Sequence, residues 1–178
     1  MSICNTILYD ENRPLDAEWW TSVAVKLAEA HRFALHFYQG EEATWTQVRD
    51  WERIRVPRAV PGCRFPIHAK GSSSFFYLRD RPGSNQAPIA CNASLHQFSA
   101  DPRYESAPYS QSWPGKLGAR LRTLRGNLEL QVLYLDNEPF EFFNALQETI
   151  TAQLDGYLYV PSTGMLIAAG GREYRATD

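Results

Sequence analysis

Cysteine is scarce in this chain. Three occur among 178 residues, Cys4, Cys63 and Cys91, odd in number and nowhere in CxxC spacing. That leaves no disulfide framework and no paired-thiol motif, so the thiols are expected to be reduced and dispensable. Long apolar runs are missing too. No stretch approaches the roughly 20 residues a membrane helix needs. Met1-Ser2-Ile3-Cys4-Asn5 has neither the basic start nor the apolar core of an export signal. A cytoplasmic protein with no membrane contact is the expectation. No sign of charge dominates: 18 Lys and Arg face 20 Asp and Glu, a net charge of -2. Such a balance gives no case for nucleic acid as a partner.

The motifs that carry chemistry are equally sparse. Dinucleotide binding needs GxGxxG after a strand and at the start of a helix, and no such segment or Walker-type loop occurs. Gly170-Gly171 is followed by too few residues to build that helix. His31, His36, His68 and His96 stand without HxH or HExxH spacing, so no metal site is expected. "GSSS" (71–74) lacks the second glycine of a nucleophile elbow. The chain is therefore read as a non-enzyme with no cofactor. An enzyme or ligand-binding domain would have to assemble its site from scattered residues such as His68, Tyr77, Cys91 and His96.

What is present suits one globular domain over 1–178, with 44% hydrophobic and 13% aromatic residues. Ile3–Tyr9 reads as a strand. Asp16 can cap a helix over about 17–31, with Trp20, Val23, Leu27 and Ala30 on its buried face. Phe33–Tyr38 reads as a second strand. Leu128–Leu135 is the strongest strand signal. After it, Asn137 and Pro139 can open a helix over 139–154, striped by Phe143, Leu146, Ile150 and Leu154 and ended by Gly156. Tyr157–Val160 and Met165–Ala168 form a hairpin about Pro161-Ser162-Thr163-Gly164, with Gly164 at the positive-φ position. Matching strand–helix–strand plans at both ends, with "ILYDEN" (7–12) and "LYLDNE" (133–138) in equivalent places, fit either an internal repeat or convergence. Between them lie most of the prolines. Strands are expected at 63–69 and 73–79, a short helix at 44–56, and a long irregular excursion over about 80–115. The fold class is α+β: a mixed or antiparallel sheet with two main helices on one face.

Charge is distributed unevenly along the chain. "KLGARLRTLR" (116–125) holds Lys116, Arg120, Arg122 and Arg125 with no acid, and 49–81 also leans basic. Residues 127–156 hold Glu129, Asp136, Glu138, Glu141, Glu148 and Asp155 with no Lys or Arg. Either these faces neutralise each other across the fold, or they form a polarised surface that steers a partner. On the second helix, Glu138 suits the positive end of the dipole. Glu141 and Glu148 lie two turns apart along one line, without a Lys or Arg three or four residues away. With Asp136 and Asp155 they are expected to form an unneutralised acidic strip.

The run from Leu130 to Tyr174, a strand, an acidic amphipathic helix, "LDGYLYVPSTGML" and a glycine turn, resembles the ends of small cytoplasmic immunity proteins that neutralise bacterial polymorphic or type VI-secreted toxins. The resemblance implies a single α+β domain without catalytic residues that occludes a cognate toxin. The partner-binding residues would then be Asp136, Glu138, Glu141, Glu148 and Asp155.

Overall fold

Seven residues with β-forming side chains on both faces make Ile3–Tyr9 the first strand, β1, and both faces are covered. A computed structural model describes residues 3–31, 33–37, 73–80, 89–97, 108–133 and 140–177. Asn5, Ile7 and Tyr9 point to one side of β1, Thr6 and Leu8 to the other, and all five are buried. A strand covered on both sides belongs inside a sheet. β1 lies between β5 (Gly126–Leu133) and β6 (Tyr157–Val160) in an eight-stranded sheet. With β2 (Phe33–Phe37), β3 (Ser73–Asp80), β4 (Ile89–Gln97), β7 (Met165–Ala168) and β8 (Glu173–Arg175), the order is β2-β3-β4-β5-β1-β6-β7-β8. Every pairing in it is antiparallel.

Helices α1 (Ala17–Ala30) and α3 (Phe140–Gln153) share one face of this sheet, as expected for an α+β fold. Asp16 caps α1, its Oδ1 accepting the Trp19 N–H at 2.9 Å. The buried side of α1 is Trp20, Ala24 and Ala28, while Val23 and Leu27 are half-buried and Ala30 is exposed. The stripe is thus turned from the expected Trp20, Val23, Leu27 and Ala30. Small residues at 24 and 28 let the helix approach the core closely. The Trp20 indole N–H donates to Gln153 Oε1 at the far end of α3. The α3 stripe of Phe143, Leu146, Ile150 and Leu154 is buried as expected, with Phe142 added. At about 1.5–3 kcal/mol per buried side chain, this stripe outweighs any helix cap.

One polar pair interrupts that core. Asn5 on β1 donates through Nδ2 to Gln147 Oε1 on α3 at 2.9 Å, and both residues are buried. The other amide atoms, Asn5 Oδ1 and Gln147 Nε2, have no hydrogen-bond partner among the described residues.

Topology explains why both helices share a face. β1 and β2 are parallel across β5, β4 and β3, and β5 and β6 are parallel across β1. The two crossovers start from antiparallel strands and run in opposite directions, so crossovers of one hand place both helices alike. They span four places and two places, so the halves differ in threading and are not copies of one unit.

The opposite face is covered by α2 (Leu117–Thr123) and the turn before it. Tyr109, Trp113, Leu117, Leu121 and Leu124 pack there on Leu8, Tyr159 and Leu166. Trp113 Nε1 donates to Pro108 O at 2.7 Å, which fixes the turn. The run at 80–115 is therefore less irregular than its composition suggests: 89–97 is β4 and 108–116 packs into α2. The expected elements at 44–56 and 63–69 lie outside the described residues, as do Asn137 and Pro139.

The C-terminal hairpin forms as read, with Gly164 at φ 63° and Thr163 N–H bonding Val160 O at 3.1 Å. Gly171, at φ 78°, then turns the chain into β8, a strand absent from the sequence reading. β8 is only three residues long and mostly charged, a form of edge that resists further pairing.

The end of α3 corrects one residue assignment. Gly156 N–H bonds Thr151 O at 3.0 Å and Asp155 N–H bonds Ala152 O at 3.2 Å, the paired bonds of a Schellman end. The left-handed residue is Asp155, at φ 49°, and not Gly156. Gly156 serves a different need: a Cβ there would stand 2.5 Å from the Leu8 carbonyl oxygen.

Candidate functional site

The acidic strip is built from α3 and the residues flanking it. Asp136 and Glu138 lie outside the described residues. Glu141 lies in the first turn of α3, where the helix dipole favours an acid. Its Oε2 stands 3.7 Å from Nδ1 of His31, the C-cap residue of α1. The His31 ring also meets Phe142 edge-on at 6.4 Å. Asp155 pairs with Arg13, Oδ2 to Nη2 at 3.2 Å. Asp155 therefore has a cationic partner, and Glu141 has His31 beside it, an ion pair only when that imidazole carries a proton; both are brought in from far along the chain. These pairs are exposed, and each contributes about 0–1 kcal/mol. An unneutralised strip is thus corrected to a shorter patch.

Glu148 remains without an ion pair among the described residues, and the fold supplies it with a companion. The register Ile167↔Glu173 sets Glu173 on the same face of the sheet as Ile167, the face that packs under α3. Glu148 and Glu173 flank a groove of about 440 Å³ between α3 and the C-terminal hairpins. Thr149 and Ala152 line its helix side, and Leu158 and Ile167 provide apolar surface. Sequence reasoning missed Glu173 because it missed β8; "REYR" alternates, but three residues carry little strand signal.

Nearby cations do not neutralise the pair. Arg172 lies over the Tyr174 ring at 5.1 Å. Tyr174 opposes Leu166 and packs with the α2-side cluster, so this contact belongs to the other face. Arg175 opposes Met165 and does not line the groove.

The glycine turn is not an anion cradle. Ala168 N–H bonds Arg172 O, Ala169 N–H bonds Gly156 O, and Gly171 N–H bonds Ala168 O. Those donors are committed within the backbone.

The larger charge pattern is set by the sheet. α2 carries Arg120 and Arg122 with Lys116 just before it, all exposed and without an acid among them. α3 carries Glu141 and Glu148 without a Lys or Arg. Since α2 and α3 pack on opposite faces, these segments cannot neutralise each other. About 20 Å of sheet and packed helix separates them, beyond the ~8 Å screening length at physiological salt.

Of the scattered enzyme candidates, Tyr77 lies on β3 and Cys91 and His96 on β4. Tyr77 opposes Ala90, six residues from His96 on β4, about 20 Å at strand rise. Cys91 opposes Val132, and His96 opposes Asn127. His68 and Cys63 lie outside the described residues. Cys4 is a free thiol whose pKa is pushed from 9.0 up to about 11 by burial and then by Glu129. A thiol so held is protonated near neutrality and is no nucleophile. Among the described residues no three His, Cys, Asp or Glu side chains converge on a metal position, and no helix is long and apolar enough to cross a membrane. Compared with known protein families, characterised proteins and solved structures, the chain matches none.

Proposed function

We propose that the chain is an immunity protein that binds a cognate bacterial toxin through its acidic α3 face and covers the toxin's basic substrate groove. The observation that carries this reading is the segregation of charge by the sheet. An acidic helix and a basic helix on opposite faces keep the charge of one segment away from the other. A patch of one sign attracts a complementary partner and aligns it during approach. Glu148 and Glu173 stand at the centre of that surface, and Glu141 and Asp155 contribute from the two ends of α3. The α2 face, being basic, would be turned away from such a toxin. The reading assigns the chain no catalytic step and no cofactor, and it places the encounter in the cytoplasm.

The test is growth. The product of the gene adjacent to this one, expressed alone in a bacterial host, should arrest growth. Co-expression of this chain should restore it, and the two should purify as one complex. A toxic neighbour that this chain neither rescues nor binds would overturn the proposal.

A further inference from the structure

We propose that the groove between α3 and the C-terminal hairpins is a receptor for a single arginine side chain presented by the partner protein. The argument is one of hydrogen-bond inventory. Glu148 and Glu173 are acceptors only when ionised. Thr149 Oγ1 donates its hydrogen to Ala145 O at 2.6 Å, and Thr151 Oγ1 donates to Gln147 O at 2.7 Å. Both hydroxyl protons are thus spent on helix carbonyls, and the oxygens offer lone pairs alone. Among the described residues, every side-chain polar group lining the groove is therefore an acceptor. An anion or an acceptor-rich ligand finds nothing to bond. A donor-rich cation does.

Shape narrows the cation. A groove of about 440 Å³ has room for a long side chain. Leu158, Ile167 and Ala152 supply apolar surface for a methylene stem. Lysine would bring three donors on one point. Arginine brings five in a planar fork that matches carboxylate geometry. Arginine is also enriched at the centre of protein interfaces, where ammonium groups are depleted. Arg172, engaged with Tyr174 on the other face, is not the native occupant.

The inference deepens the reading of the α3 face as the partner surface, but its test needs no toxin. The amides of the ¹⁵N-labelled protein are followed by NMR during titration with acetyl-Ala-Arg-Ala-amide. The titration runs to about 10 mM, tenfold above a millimolar Kd. Saturable shifts are expected at Thr149, Ala152, Ile167 and Gly171. The citrulline tripeptide, which keeps the shape and loses the charge, should bind at least tenfold more weakly. E148Q/E173Q, whose amide dispersion reports that it remains folded, should weaken the arginine peptide by a similar factor. No saturable shift, an equal response to citrulline, or full binding by the folded double variant would each overturn the proposal. Rescue of growth with an empty groove would leave the immunity reading standing, and a filled groove without rescue would do the reverse.

Discussion

Asp155 and Gly156 show how neighbouring residues exchange the roles their names suggest. Asp155 carries the left-handed backbone at the end of α3, and Gly156 carries the steric restriction. Asp155→Gly relieves about 1–2 kcal/mol of left-handed strain. It adds about 0.5–1 kcal/mol of unfolded-chain entropy and loses an exposed ion pair of about 0–1 kcal/mol. Its stability should stay within about 1 kcal/mol of the parent. Gly156→Ala drives a Cβ against the backbone of a central strand that cannot move aside, and should cost about 2–3 kcal/mol. Urea midpoints of the two variants decide which residue needs to be glycine. Burial also sets a pH limit. Tyr9 is pushed from 10.0 up to about 12 by burial and then by Glu11, in the same direction as Cys4. Both groups keep their protons more tightly in the folded state than unfolded. Below about pH 9 the two states are equally protonated at these groups, and they have no effect. Above it, unfolding releases protons that folding retains, so stability should fall progressively between about pH 9 and 12. Chemical denaturation at pH 8, 10 and 11 measures this, and Cys4→Ala should delay the onset.

Elements whose signals are local were legible, and those that depend on distant partners were not. β1, α3 and the β6–β7 hairpin have their own periodicity, caps or turn residues. α1 was placed to within a residue, yet its buried face was misjudged. Large residues define a stripe by hydrophobicity, whereas packing against α3 selects small ones at Ala24 and Ala28. Ala28→Leu should therefore overpack the helix contact and cost about 1–3 kcal/mol. Ala30→Leu, at an exposed position, should change stability by about 0.5 kcal/mol or less. Equal effects in thermal or urea unfolding would restore the original stripe. β4 went unread for a related reason. "IACNASLHQ" has few β-branched residues, and its place in the sheet comes from Ala93 opposite Leu130 and Leu95 opposite Leu128. No local propensity announces such pairs. The neighbours of Glu141 and Asp155 were hidden in the same way: His31 and Arg13 stand more than one hundred residues away in sequence.

At the scale of the whole molecule, the α+β class and the common face of α1 and α3 followed from connectivity, while the separation of charge required the sheet to be seen. Composition reports near neutrality. Only the placement of α2 and α3 on opposite faces separates the basic segment from the acidic one. That arrangement makes the acidic face testable by charge reversal. Glu141→Lys with Glu148→Lys removes two negative charges and adds two positive ones on one surface without touching the buried stripe, so folding should be retained. Association with the proposed toxin partner should slow, and binding should weaken by about 1–2 kcal/mol for the pair. Glu148→Lys alone should account for most of the loss. Glu148 flanks the groove, whereas Glu141 lies beside His31 and serves the helix dipole. Lys116→Glu with Arg120→Glu alters the far face and is the control. That variant should bind with an unchanged or faster association rate, because it removes positive charge that opposes a basic partner. The difference between the two double variants should be largest at low salt and shrink as the screening length falls below the distance between the faces. Stopped-flow association at low and high salt reads both effects. Equal rates for both variants under both conditions would mean that the acidic face of α3 plays no part in finding the partner.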